Sequence, residues 1–146
     1  MRALLQNVPI FAGLDEGALA LLWERAVESK VPAGSVIIRE GESGNRFFLI
    51  GSGLVRVCRH FGEQEEFELR KLRAGDFFGE MCILETLPRS ATVHAVEDTA
   101  LCSLTSMAFL HLYESMPSQH SILVVNIARD LSRRLRSLDQ IFAGHH

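Results

Sequence analysis

Between Val31 and Leu104 apolar residues recur at every second position in short runs, and a glycine- or proline-bearing turn separates one run from the next. Short runs with turns about every eight to twelve residues predict an all-β barrel or double sheet and leave no room for long helices. Pro32-Ala33-Gly34 and Gly41-Glu42-Ser43-Gly44 flank Val36-Ile37-Ile38, and Gly51-Ser52-Gly53 parts Phe47-Phe48-Leu49-Ile50 from Leu54-Val55-Arg56-Val57-Cys58. Glu66-Phe67-Glu68-Leu69-Arg70 alternates cleanly, which predicts Phe67 and Leu69 on the inner face and the charges in water. About eight strands follow, folded as a jelly roll.

The flanks read differently. Residues 2–29 are helical in pattern and fall in two pieces, with a break at Pro9 and Asp15 placed to cap the second. Leu19, Leu22, Trp23 and Ala26 then share one face, as a helix packed on its neighbour requires. Beyond Leu104 the helical pattern returns. Ser106 is placed to cap Met107–Tyr113, Pro117 interrupts, and a long helix from Ser118 to about Phe142 is predicted. Val124, Ala128, Leu131, Leu135, Leu138 and Phe142 repeat along it at steps of four and three, the pattern of a coiled-coil seam. Two readings compete for that seam: it lies back over the β-roll, or it meets the same helix of a second subunit. Arg129, Arg133, Arg134 and Arg136 flank it, interspersed with Asp130 and Asp139, as a solvated flank or as a basic strip for DNA. The division expected is one domain over 1–146, with N-terminal helices in 1–30, a β-roll in 31–105 and C-terminal helices in 106–142.

A net charge of −3 over 146 residues argues against a nucleic-acid surface as the main business of the chain. No apolar run reaches the roughly 18 residues of a membrane span, and the first residues form no secretory segment, so a soluble, cytoplasmic protein is expected. Cys58, Cys82 and Cys102 are widely spaced within apolar sequence and read as buried small hydrophobes, with no Cys-x-x-Cys to hold zinc or an iron-sulfur cluster. His60 and His94 lack the paired histidines and downstream carboxylate of a metal-dependent β-barrel enzyme. Ser52, Ser90 and Ser103 have no His and Asp at a spacing that makes a nucleophile, so the chain is not expected to be an enzyme.

One stretch inside the β region breaks its rhythm. Gly75–Val93 runs from a turn through Phe77-Phe78-Gly79 into a segment, Glu80–Glu85, too short for more than one or two helical turns. A helix start leaves backbone N–H groups unpartnered and favours an anion. Pro88 stops the turn, and Arg89 opens an extended run from which a guanidinium can grip the same anion with two parallel hydrogen bonds. Ser90 adds a hydroxyl and an N–H. Glu80 beside an anion is repulsive unless it accepts from something else, and a ribose hydroxyl is such a partner. The combination fits a sugar phosphate better than bare phosphate.

Phe78-Gly79-Glu80 and Pro88-Arg89-Ser90-Ala91-Thr92-Val93 resemble, in order and separation, the phosphate-binding cassette of cyclic-nucleotide-binding domains. These are the modules of catabolite-activator-type regulators, the kinase regulatory subunit and cyclic-nucleotide-gated channels. The lead-in Val8–Leu14 is also similar. The resemblance implies that Glu80 binds the ribose 2'-hydroxyl with close backbone contact from Gly79, and that Arg89 neutralises the cyclic phosphate. The Cys82 amide and the Ser90 hydroxyl and amide complete the phosphate shell, while Val57 and Leu69 line the base pocket. It further implies a parallel homodimer through 124–142 and a ligand, cAMP in preference to cGMP, with no other cofactor.

Two departures from the family pattern stand out. Cys82 replaces a small Ala or Gly, and Leu138-Asp139 occupy the place where the catabolite activator has a Thr-Ser pair reading adenine. Three other functions remain open: the sensor half of a transcription regulator without its DNA-binding domain, a dimerisation scaffold that has lost its ligand, and a metal-dependent enzyme on a similar β-roll. Sequence-specific DNA binding by this chain alone is not expected.

Overall fold

The computed structural model describes residues 6–85 and 88–143, the last six by backbone alone. After a 3-10 turn at Pro9–Phe11 comes α1 (Glu16–Glu24), then β1 (Val27–Val31), β2 (Val36–Ile38), β3 (Arg46–Ser52), β4 (Leu54–Arg59), β5 (Phe67–Arg73) and β6 (Phe77–Phe78). A second 3-10 turn, Glu80–Ile83, precedes β7 (Thr92–Ala95), β8 (Thr99–Thr105), α2 (Ser106–Ser115) and α3 (Pro117–Ala143). The strands form two four-stranded antiparallel sheets, ordered β1-β8-β3-β6 and β2-β7-β4-β5. This is the predicted jelly roll with flanking helices. Among the described residues no helix is long and apolar enough to cross a membrane.

The first sheet is the middle of three layers. Phe48 and Ile50 on β3 point between the sheets, where they join Val55, Val57, Leu72, Phe78, Val93 and Leu101. Phe47 and Leu49, one residue out of phase, point to the helices and meet Phe11, Leu19, Leu22, Phe109, Leu112, Leu123 and Ile127. A strand covered on both faces needs a continuous apolar run, which is why Phe47-Phe48-Leu49-Ile50 carries no polar residue. Each of these side chains contributes roughly 1.5–3 kcal/mol by leaving water.

Helix α1 starts where Asp15 predicts: its carboxylate accepts from the Ala18 N–H at 2.9 Å, and Leu19 and Leu22 are buried. The helical pattern does not run on to residue 29, however. It ends at Glu24, and Val27–Val31 is a strand paired along its length with β8, from Val27 opposite Ser103 to Val31 opposite Thr99. As the outer strand of its sheet, β1 buries almost nothing, so its residues show no inward apolar face to read.

On β5 the expected orientation is also overturned. Phe67 and Leu69 are 48% and 47% exposed, and Leu72 is the buried residue of the strand. Leu72 and Arg70 lie opposite Val55 and Val57, the inward residues of β4, so alternation turns Leu69 outward; just beyond, Cys58 lies opposite Glu68 and Leu69 is the bulged residue without a partner. Arg70 and Leu72 take the inner side.

The C-terminal helices begin one residue earlier than predicted. Thr105, with no side-chain bond, stands at the cap of α2, and Pro117 opens α3, where its missing N–H costs nothing. Helix α3 does lie back against the domain, but through Leu123 and Ile127, fully buried, with Leu131 partly so. Asn126 fastens it by donating to the carbonyls of Ile10 at 3.0 Å and Ala12 at 2.7 Å. The predicted seam sits on a neighbouring stripe: Val124 is half-buried, Ala128 is exposed and Leu135 is 63% exposed. Leu138 and Phe142 lie outside the residues whose side chains are described.

Candidate functional site

The cassette is assembled by three backbone decisions. Gly75, at φ +91°, turns the chain after β5, and Asp76 closes that turn by accepting from the Arg73 N–H at 2.8 Å. Phe77 and Phe78 then pair with β3 and face opposite layers: Phe78 stacks on Phe48 at 4.9 Å, while Phe77 turns to the helices beside Phe47. Gly79 follows in the left-handed region, at φ +79°. A Cβ there would come within 2.6 Å of the Arg46 carbonyl oxygen and 2.9 Å of Arg89 Nη1, so only glycine fits both the dihedral and the space. Glu80–Ile83 is one 3-10 turn, in which the Cys82 N–H reaches the Gly79 carbonyl at 3.3 Å.

Arg89 is held by a segment far away in sequence. Its N–H donates to the Glu42 carbonyl at 2.7 Å, its carbonyl accepts from the Gly41 N–H at 2.8 Å, and Pro88 bridges Ser43. The side chain then passes over Gly44, where any Cβ would overlap its Nε and Cζ, and Nη2 donates to the Arg46 carbonyl at 2.8 Å. Gly44 is therefore a site residue that reads in the sequence only as a turn signal. Of the five guanidinium N–H groups one is spent on Arg46, and the rest can bind an anion.

A cavity of about 380 Å³, within the range of small-molecule sites, lies between these pieces and the inner face of the second sheet. Of the residues singled out in the sequence, Gly79, Glu80, Cys82, Arg89, Ser90 and Val57 are brought together on its lining. Leu69 does not; the wall contributed by β5 is Arg70. Ile38, Phe78 and Val93 make the apolar floor, and Leu131 and Arg134 of α3 close the cavity from the helix side.

Arg134, read in the sequence as part of a solvated or DNA-facing flank, is instead a second site residue. Its Nη1 meets Glu80 Oε1 at 2.6 Å, its Nη2 lies 3.1 Å from Asp130 Oδ2 without hydrogen-bond alignment, and its guanidinium sits 5.9 Å from the centre of the Phe77 ring. Glu80, only 4% exposed, thus faces the cavity while tied to the long helix. Arg70 remains accessible, on the side turned to the cavity. It is nevertheless crowded: loss of hydration, and then the neighbouring Arg134 charge, pull its guanidinium below the usual arginine range. Burial pushes the Cys82 thiol up to about 11 against the opposing pull of Arg89, so Cys82 stands in the site as a neutral thiol.

Anion donors at one end, an apolar floor and a carboxylate between them can receive a small molecule that is charged at one end and hydroxylated beside it. The family of the chain follows from its relatives. Residues 28–116 match the profile described as "Cyclic nucleotide-binding domain", and the chain belongs to that family.

It is 36% identical over 136 residues to the "Cyclic AMP receptor protein" of Thermus thermophilus, covering 92% of this chain and 61% of that protein. It is 37% identical over 100 residues to "cGMP-dependent protein kinase, isozyme 1" of Drosophila melanogaster, covering 67% of this chain and 13% of that one. Among solved structures, the regulatory domain of Toxoplasma gondii PKA with cAMP superposes with a TM-score of 0.71 at 27% identity, over 88% of this chain and 48% of that one. The chain thus spans less than two thirds of these longer proteins.

Proposed function

We propose that the chain is a cyclic-nucleotide sensor, a binding module rather than a catalyst, whose output passes through α3. The observation that carries this reading is the placement of Arg89 and Glu80 in one cavity, with Arg134 joining that cavity to the helix. The cyclic phosphate is gripped by the free donors of Arg89 together with the Ser90 hydroxyl and amide, and by the Cys82 amide when it turns from the Gly79 carbonyl. The second oxygen of Glu80 accepts the ribose 2'-hydroxyl. The base extends along the floor past Val57, and the chemistry it meets at the far end is that of Arg70 rather than Leu69.

Because Leu131 and Arg134 form the roof, a ligand filling the cavity contacts the helix directly. It shifts the helix only as far as it binds one position of α3 better than another. About twenty heavy atoms at roughly 0.3 kcal/mol each give about −6 to −7 kcal/mol, a dissociation constant of micromolar to tens of micromolar. Titration calorimetry is expected to show binding of cAMP in that range and at least tenfold weaker binding of 5'-AMP, whose second phosphate charge and open ring fit neither Arg89 nor the ribose position. Equal affinities would refute the cassette assignment.

The outward stripe of α3 is the proposed contact of a homodimer. Its support is that Ala128 and Leu135 stand exposed on one side of α3, beside the half-buried Val124, while Leu131 between them turns to the domain. Sedimentation equilibrium of the wild type is expected to give twice the chain mass, and Leu135→Glu a monomer. A monomeric wild type at tens of micromolar would remove the dimer from the scheme.

A further inference from the structure

We infer that β1 is a contact surface for a second copy of this chain, the two strands pairing edge to edge and antiparallel about a two-fold axis at Ser29. The other outer strands of the two sheets are closed to such pairing by shortness or irregularity. β6 has two residues, β2 has three and shifts register against β7, and Leu69 interrupts β5 as a bulge. β1 differs: all five of its residues, Val27–Val31, pair with β8 without a register shift, so its outer edge offers a regular row of backbone donors and acceptors.

The side chains select the occupant. Val27-Glu28-Ser29-Lys30-Val31 is complementary to itself when reversed. With Ser29 on the axis, Glu28 lies opposite the partner's Lys30 and Val27 opposite the partner's Val31, and symmetry repeats each pair, as an isologous contact requires. The register with β8 sorts these pairs by face. Glu28 lies opposite Cys102, which belongs to the core under the helices, and Ser29 lies opposite Leu101, which belongs to the core between the sheets. Opposed residues share a face, so Glu28 and Lys30 stand on the helix side and Val27, Ser29 and Val31 on the inter-sheet side. Val31 already packs on the inter-sheet core while Val27 is 54% exposed, and the two-fold covers each Val27 with the partner's Val31. Among the described residues neither Glu28 nor Lys30 has an ion-pair partner in its own chain. Two like charges on this strand would repel a second copy, whereas one of each sign attracts it.

Pairing adds roughly four to six ladder hydrogen bonds and joins the two copies of the β1-β8-β3-β6 sheet into one. Two strands of five residues cover less than the roughly 1,200 Å² of a standard interface, so the contact is weak and becomes populated at about hundreds of micromolar. It uses no part of α3, so both contacts can form on one molecule.

A covalent trap tests the contact on the whole chain. Opposed Cβ atoms of paired strands lie about 4.5–5.5 Å apart, close to disulfide range, and Ser29 is the residue that meets itself. Cys58, Cys82 and Cys102 are buried. Under copper phenanthroline at about 300 μM chain, Ser29→Cys is expected to give a disulfide-linked dimer on a non-reducing denaturing gel, and the wild type to remain a single chain. Glu28→Lys added to Ser29→Cys sets ammonium groups against each other and is expected to slow the crosslink about tenfold; Lys30→Glu added to both reverses each pair and is expected to restore the rate to within about twofold. Equal rates in all three variants would mean chance collision and overturn the proposal. So would a triple variant as slow as the double, or no crosslink in any of them, which would leave β1 to an unrelated strand or to none. Glu28, Ser29 and Lys30 are all exposed, so the substitutions leave the fold intact.

Discussion

Replacing Arg89 by alanine is expected to weaken cAMP binding by about 30-fold to a few thousandfold, or 2–5 kcal/mol, with little change in thermal stability. The size follows from what is left behind: a ligand phosphate held among backbone N–H groups and Ser90, with its one cationic partner gone. The small stability effect follows from the structure. The Arg89 side chain rests over a glycine and makes one hydrogen bond to a backbone carbonyl, so the fold depends on its backbone contacts with Gly41 and Glu42 and not on its guanidinium. Arg89→Lys keeps the charge but not the fork, and is expected to recover only part of the loss. Calorimetry paired with a thermal melt checks both halves. Affinity within threefold of wild type in the alanine variant would mean that the anion sits elsewhere.

Arg134→Ala is expected to act the other way round, on stability first. It leaves Glu80, almost wholly out of water, without its 2.6 Å partner. Removing one member of a fully buried pair costs 3–5 kcal/mol, but Arg134 is itself about one-third exposed, which brings the expected loss to about 2 kcal/mol. For a domain of this size that is a fall in Tm of roughly 5–8 °C. Glu80→Gln in the same background removes the stranded charge, so the double variant is expected to be more stable than Arg134→Ala alone, a coupling of about 1–2 kcal/mol. Strictly additive effects of the two substitutions would show that the pair does not hold α3 to the cassette.

Much of the architecture was legible because it is local. The turn glycines and the alternation between them mark the strands, Asp15 marks the start of α1, and Phe78-Gly79-Glu80 with Pro88-Arg89-Ser90 marks the cassette. What escaped is tertiary. β1 carries no apolar face because it lies at a sheet edge, and nothing in Phe67-Glu68-Leu69-Arg70 announces the register that sets Arg70 opposite Val57 on the inner face and leaves Leu69 outside. Helix α3 bears two adjacent apolar stripes, and periodicity alone cannot say that Leu123 and Ile127, rather than Val124 and Ala128, meet the core. Gly44 looks like any turn glycine until Arg89, 45 positions later, is seen to cross it. Leu138 and Asp139, at the place of the catabolite activator's base-reading pair, lie beyond the described side chains.

On the proposed reading Glu80 carries two duties on one carboxylate, one oxygen turned to the helix through Arg134 and the other to the sugar. Sensitivity and responsiveness therefore cannot be adjusted separately at that position, since any change that loosens the grip on ligand also loosens the linkage to the output. Selection for a different threshold would have to work on the helix side, at Arg134 or Asp130, and leave the acid alone.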